Sequence, residues 1–209
     1  MEWKIDQYMP ENVDYPVGLR FAPEEYPSVI RKTIVTIEAW KRRVFFETDI
    51  RFESKVWFED LRIAPKLVAS ARSVAAIQEP LYVYVQREGS TMHNVDISRN
   101  RELMDAFDDL TEWFQQRGLW EKYEGQIRHM AIEQIVLSAF HRIIDVDVNH
   151  PLLGEMTDYM AEAFPGYWKD PAATRSAQRR VFITLARFKQ FRLLRLMLSL
   201  RDALMKVKR

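Results

Sequence analysis

Hydrophobic and polar positions change their rhythm part-way along this chain, from short apolar runs broken by turns to long helical repeats. Pro10, Pro16, Pro23 and Pro27 punctuate residues 1–28 among charged and aromatic neighbours. Proline at that density disfavours long helices and central strands, so irregular connections with short extended pieces are expected. The β-branched run Ser28 to Ile37 fits strand or helix. From Glu38 to Glu47, Trp40, Val44 and Phe45 share a helical face, Thr48-Asp49 break it, and Ile50-Arg51-Phe52 reads as a short strand. Leu61 to Arg72 predicts a helix, with Leu61, Ala64, Leu67, Val68 and Ala71 on one side. Glu59-Asp60 precede it and complement its dipole, and Pro65 is accommodated if it lies near the first turn. Ser73 to Gln78 and Leu81 to Val85 read as strands around Glu79-Pro80, the second alternating with Tyr82 and Tyr84.

Beyond residue 97 the pattern is helical. Ser98 suits an N-cap for a helix reaching Arg117, with Leu103, Phe107, Leu110 and Phe114 on one face and Gly118 at its end. A second helix spans about Leu119 to Ile144, and its apolar portion from Ile127 to Ile143 is expected at the centre of packing. A third starts at Pro151 and stops near Phe164-Pro165-Gly166, and a last helical segment covers Arg175 to Arg209. The chain therefore reads as α+β and mostly helical: residues 1–96 with short strands, then a helical subdomain over 97–209.

Composition narrows the class. The 209 residues, 47% hydrophobic, suffice for a substantial core. With no cysteine, disulfides and thiolate chemistry are excluded. The N-terminal MEWKIDQYMPEN is too polar for a signal peptide and no apolar run has the length of a membrane span, so a cytoplasmic protein is expected. The net charge of +1 conceals an asymmetry. Residues 174–209 hold eleven Lys/Arg and one acid, Asp202, a balance of +10 against −9 for the remainder. Such a basic amphipathic tail suits an anionic membrane surface, at the inner face, or a helix docked on the acidic body. The acidic body argues against a nucleic-acid footprint.

Candidate chemistry gathers between Trp57 and Asn94. A carboxylate beside a cleft, Asp60 or Glu59, serves as a general base, although two acids in a first turn also have a purely structural use. The polar loop Gln86 to Asn94 supplies Arg87, Ser90, Thr91 and His93, groups suited to phosphate oxygens. Upstream, Trp40 offers an aromatic face for sugar stacking and Arg42 a cation, with core packing and solvation as the plainer readings. His141, Asp145, Asp147 and His150 are too loosely spaced to suggest a metal centre, and His129 with Glu133 reads as a polar pair without an HExxH motif.

In order and spacing, Ile50-Arg51-Phe52, Glu59-Asp60, Glu79-Pro80-Leu81-Tyr82-Val83-Tyr84 and Arg87-Glu88-Gly89-Ser90-Thr91 resemble the second half of the catalytic domain of family-two glycosyltransferases, inverting enzymes of the GT-A type. Ala39 to Asp49 is similar to the basic helix that precedes this strand in the family, and Phe164 to Lys169 to the C-terminal end of many bacterial members. The resemblance implies that residues 1–96 are the acceptor-side part of a GT-A-like α/β unit. It implies sugar transfer from a nucleotide-sugar to a glycan or lipid-linked acceptor, as in cell-envelope polysaccharide synthesis. Asp60 would be the base, Glu59 would orient the site, and Arg87, Ser90, Thr91 and His93 would close over the diphosphate. The family's N-terminal nucleotide-binding half ends in a D-x-D that holds divalent Mg or Mn. No D-x-D stands before Asp60, and Asp145-Val146-Asp147 lies on the wrong side of it. The metal is thus expected only with that half and none is expected on this chain, which reads as a partial enzyme. The competing expectation is a non-enzymatic helical interaction module with a partner- or membrane-binding tail.

Overall fold

The computed structural model describes residues 2–3, 13–31, 39–77, 84–85 and 96–207. Among them the chain is mostly helical, with four two-residue strands. Strands β1 (Glu2–Trp3) and β4 (Tyr84–Val85) pair antiparallel, as do β2 (Arg20–Phe21) and β3 (Val74–Ala75). Both partners of the expected strands thus come from the proline-rich N-terminal stretch. No helix among the described residues is long and apolar enough to cross a membrane.

The chain divides into two compact units, with two of the three divisions falling inside helices. The first comprises residues 1–96 and 106–126. Its axis is α2 (Glu59–Ser70), whose Leu61, Ile63, Ala64, Leu67 and Val68 are buried. It packs against the 3-10 turn Pro27–Arg31, where Val29 and Ile30 are buried, and against α1 (Arg43–Glu47). Part of α3 (Glu102–Gln116) and the start of α4 (Trp120–Ala131) complete the unit. Gly118, at φ 66°, ends α3, and Leu119 N–H reaches back to the Phe114 carbonyl at 2.9 Å. Glycine takes that left-handed conformation without a Cβ penalty. The turn carries Tyr123 under Phe114, with ring centroids 5.2 Å apart.

Two expectations in this unit need correcting. Ile50-Arg51-Phe52 is not a strand among the described residues. The Arg51 guanidinium bonds the Thr48 and Ile50 carbonyls at 2.8 and 2.7 Å, satisfying locally the acceptors a ladder would use. Pro65 sits in the second turn of α2 rather than near its first, because the helix begins at Glu59. Proline has no N–H for the Leu61 carbonyl, and the helix persists there through the face it buries.

The second unit comprises residues 97–105 and 127–209. Residues Ile132–Ala139 form a π-helical segment between α4 and α5 (Phe140–Val146), its Ile132, Ile135, Val136 and Ala139 all buried. The expected long apolar helix is therefore present and central, but its winding changes midway. Around it pack α6 (Leu152–Ala163), α7 (Pro171–Thr174) and α8 (Ala177–Arg187), and α9 (Phe191–Val207) lies against α5 and α8. Asp170 ties two of these elements: it caps α7 through the Ala172 N–H and takes the Arg128 Nε–H, both at 2.9 Å.

The tail is two helices rather than one. α8 closes with Lys189 in the left-handed region, φ 54°, and Gln190 N–H bonds the Leu185 carbonyl at 2.8 Å. That geometry terminates a helix and reverses the chain, even without the usual glycine. Phe188 is consequently 60% exposed and off the buried face on which Leu194 and Leu198 lie.

Candidate functional site

Glu59 and Asp60 open α2. The residue before them, Phe58, takes φ 61° and ψ 34°, a left-handed conformation uncommon for a bulky side chain. Its carbonyl accepts the Arg62 N–H at 3.1 Å, so the helix starts abruptly from a strained residue. Trp57 meets Phe58 edge-on, with centroids 6.3 Å apart. Glu59 is exposed and Asp60 half-buried. With one carboxylate in water and the next against the protein, these adjacent acids at a helix N-terminus occupy different surroundings.

Arg62, one turn on from Phe58, was not anticipated from the sequence. Its Nε is buried and has no hydrogen-bond partner among the described residues. The same holds for Trp40 Nε1, on a half-buried indole just ahead of α1. Arg42 is exposed, with its guanidinium 4.9 Å from the Phe46 ring centroid. The segment bearing Trp40 and Arg42 leads directly into α1, which contacts α2, the helix that carries the carboxylates. The segment Glu59-Asp60-Leu61-Arg62 did carry a signal for the arginine, three positions from Glu59 on one helical face.

Arg87, Ser90, Thr91 and His93 lie outside the described residues. The left-handed Phe58 had no sequence signal, since nothing in W-F-E-D asks for a positive φ.

The candidate histidines and acids of the second unit are engaged locally. His141 Nδ1 lies 3.2 Å from Asp145 and its Nε2 2.9 Å from Arg201. Glu133 pairs with Arg179 across elements and lies 3.9 Å from His129. His150 Nδ1 accepts the Leu152 N–H at 3.2 Å. Among the described residues, no three such groups converge as metal ligands would.

Compared with protein-family models, curated proteins and solved structures, the chain matches none.

Proposed function

We propose that this chain is the acceptor-side part of a GT-A-like inverting glycosyltransferase, with Asp60 as the general base. The observation that carries the reading is Asp60 itself: a half-buried carboxylate in the first turn of a firmly packed helix, set there by a strained residue. Strain at a single bulky residue costs on the order of 1–3 kcal/mol and is characteristically tolerated where a neighbouring group must be held in place.

In this mechanism an Asp60 oxygen takes the proton of an acceptor hydroxyl as the hydroxyl oxygen attacks the anomeric carbon of a nucleotide-sugar. The bond from that carbon to the nucleoside diphosphate breaks, its electrons leave with the diphosphate, and the new glycosidic bond forms with inverted configuration. Glu59, in water one residue earlier, orients the acceptor. Arg87, Ser90 and Thr91, with His93, neutralise the departing diphosphate and exclude water. Trp40 and Arg42 border the acceptor. Donor and divalent-ion contacts belong to the nucleotide-binding half that the resemblance expects.

The test is transfer by the protein that carries this sequence, assayed with a panel of nucleotide-sugars and a glycan acceptor mixture. Asp60→Asn is expected to lower turnover by about 10²–10⁴-fold with nucleotide affinity unchanged. Turnover retained in this variant removes Asp60 from the role.

A second reading, a non-enzymatic helical interaction module, is favoured by one observation: α9 leaves a row of leucines in water.

A further inference from the structure

The tail's apolar residues divide between two faces of α9. Leu194 and Leu198 are fully or nearly fully buried, and Phe191 is half-buried 6.0 Å from the Phe140 ring. Leu193, Leu196 and Leu200 are each at least half exposed. At about 3.6 residues per turn these three fall on one stripe, away from the buried face. Of the ten large hydrophobic residues exposed among those described, five lie between Val181 and Leu200. Three of those five are the leucines of this stripe, which share one helix face rather than being scattered singly.

Cations of the same helix flank the stripe. Arg192 and Arg195 are exposed, and neither pairs with a residue among those described. At the start of α9, Arg192 lines an open groove of about 370 Å³ together with His150 and Lys189, so this end of the stripe is cationic. Lys189 is partly neutralised by Asp158, 2.7 Å away, and Arg201 is turned inward to His141, which leaves the unpaired charge on the outward side. The sequence over residues 174–209 offers eleven basic residues against one acid.

We infer that the outward face of α9, centred on Leu193, Leu196 and Leu200 and flanked by Arg192 and Arg195, docks flat on an anionic phospholipid bilayer. Charge complementarity selects the occupant: leucines enter the acyl boundary while arginines meet headgroup phosphates, each side chain keeping its apolar stem against lipid. No helix among those described spans a bilayer, so the attachment is parallel to the surface. The inference rests on α9 alone and does not depend on the role proposed for Asp60.

The experiment is sedimentation of the full chain with vesicles of phosphatidylcholine alone or mixed with phosphatidylglycerol. Binding is expected only to the mixed vesicles and is expected to weaken in high salt. Leu193→Ser/Leu196→Ser/Leu200→Ser and Arg192→Gln/Arg195→Gln should each lower affinity by about tenfold or more. These side chains are exposed, so helicity by circular dichroism should be unchanged, and Leu194→Ser serves as the contrasting variant that perturbs folding. Equal binding to neutral vesicles, or unchanged binding by the triple leucine variant, overturns the inference. So does a full chain that ignores lipid but forms a dimer abolished by the leucine substitutions, since the face is then a protein interface. Asp60→Asn should bind vesicles as the parent chain does.

Discussion

Asp170 concentrates two interactions in one nearly buried carboxylate, and its removal has a calculable cost. One oxygen caps α7 at the Ala172 N–H, and the other takes the Arg128 Nε–H. The Asp170 side chain is 6% exposed and that of Arg128 28%. Loss of an N-cap costs about 1 kcal/mol. Loss of a hydrogen bond between charged groups costs about 1.5–3 kcal/mol, with the lower end appropriate because water still reaches Arg128. Asp170→Ala should therefore destabilise the protein by about 2.5 kcal/mol, equivalent to ~5–10 °C in Tm for a chain of this size. Asp170→Asn keeps an acceptor for the cap and loses only the charge, so it should cost about half as much. Urea unfolding followed by circular dichroism measures both, and combining Asp170→Ala with Arg128→Met gives a coupling energy of about 1.5 kcal/mol if the pair is real. A cost below about 1 kcal/mol for Asp170→Ala, or equal costs for the two Asp170 variants, would refute the reasoning.

Further outcomes are expected at three places in the chain. Burial and the nearby Glu24 push the Tyr123 phenol up to about 12, above its ordinary 10. A raised folded-state pKa contributes stability that is complete below pH 10 and lost as pH rises toward 12, so Tyr123→Phe should flatten alkaline unfolding over that window, with Tyr15 and Tyr167, shifted the same way by burial, retaining the rest. Because the Tyr123 hydroxyl is buried without a hydrogen bond among the described residues, the same variant should be neutral or slightly stabilising at pH 7 in thermal melts. Lys66, 8% exposed on α2, is paired with Asp109: Asp109→Ala should cost about 2–3 kcal/mol by denaturant titration, whereas Lys66→Met should cost less, since the Asp109 carboxylate it leaves behind is 33% exposed and water can solvate it. Lys55 is exposed at φ 66°, so Lys55→Gly should raise stability by about 0.5–1 kcal/mol, and a loss in chemical denaturation would show that its side chain has a compensating role.

Sequence alone was enough to find the helices whose apolar residues repeat strongly. The expected helix at Leu61 to Arg72 corresponds to α2, the one opening at Pro151 to α6, and Gly118 ends α3. In each case the signal is local: a periodic face that must be buried, or a residue type that the turn itself requires. The mostly helical character and the short extended pieces near the N-terminus follow from the same patterns.

What the sequence could not decide depends on partners remote along the chain. Ile50-Arg51-Phe52 has the composition of a strand, yet a strand needs a neighbour, and Arg51 satisfies the nearby carbonyls instead. The π-helical turn of Ile132–Ala139 has no local residue code and reflects packing on several sides at once. In the tail, periodicity identifies apolar residues without saying which of them find a partner. Only tertiary contacts bury Leu194 and Leu198 and leave Leu193, Leu196 and Leu200 in water. At the candidate site, the residue types Glu59 and Asp60 were readable, but their unequal exposure and the left-handed Phe58 were not. A side chain's identity is local information; the surface it meets is set by the rest of the fold.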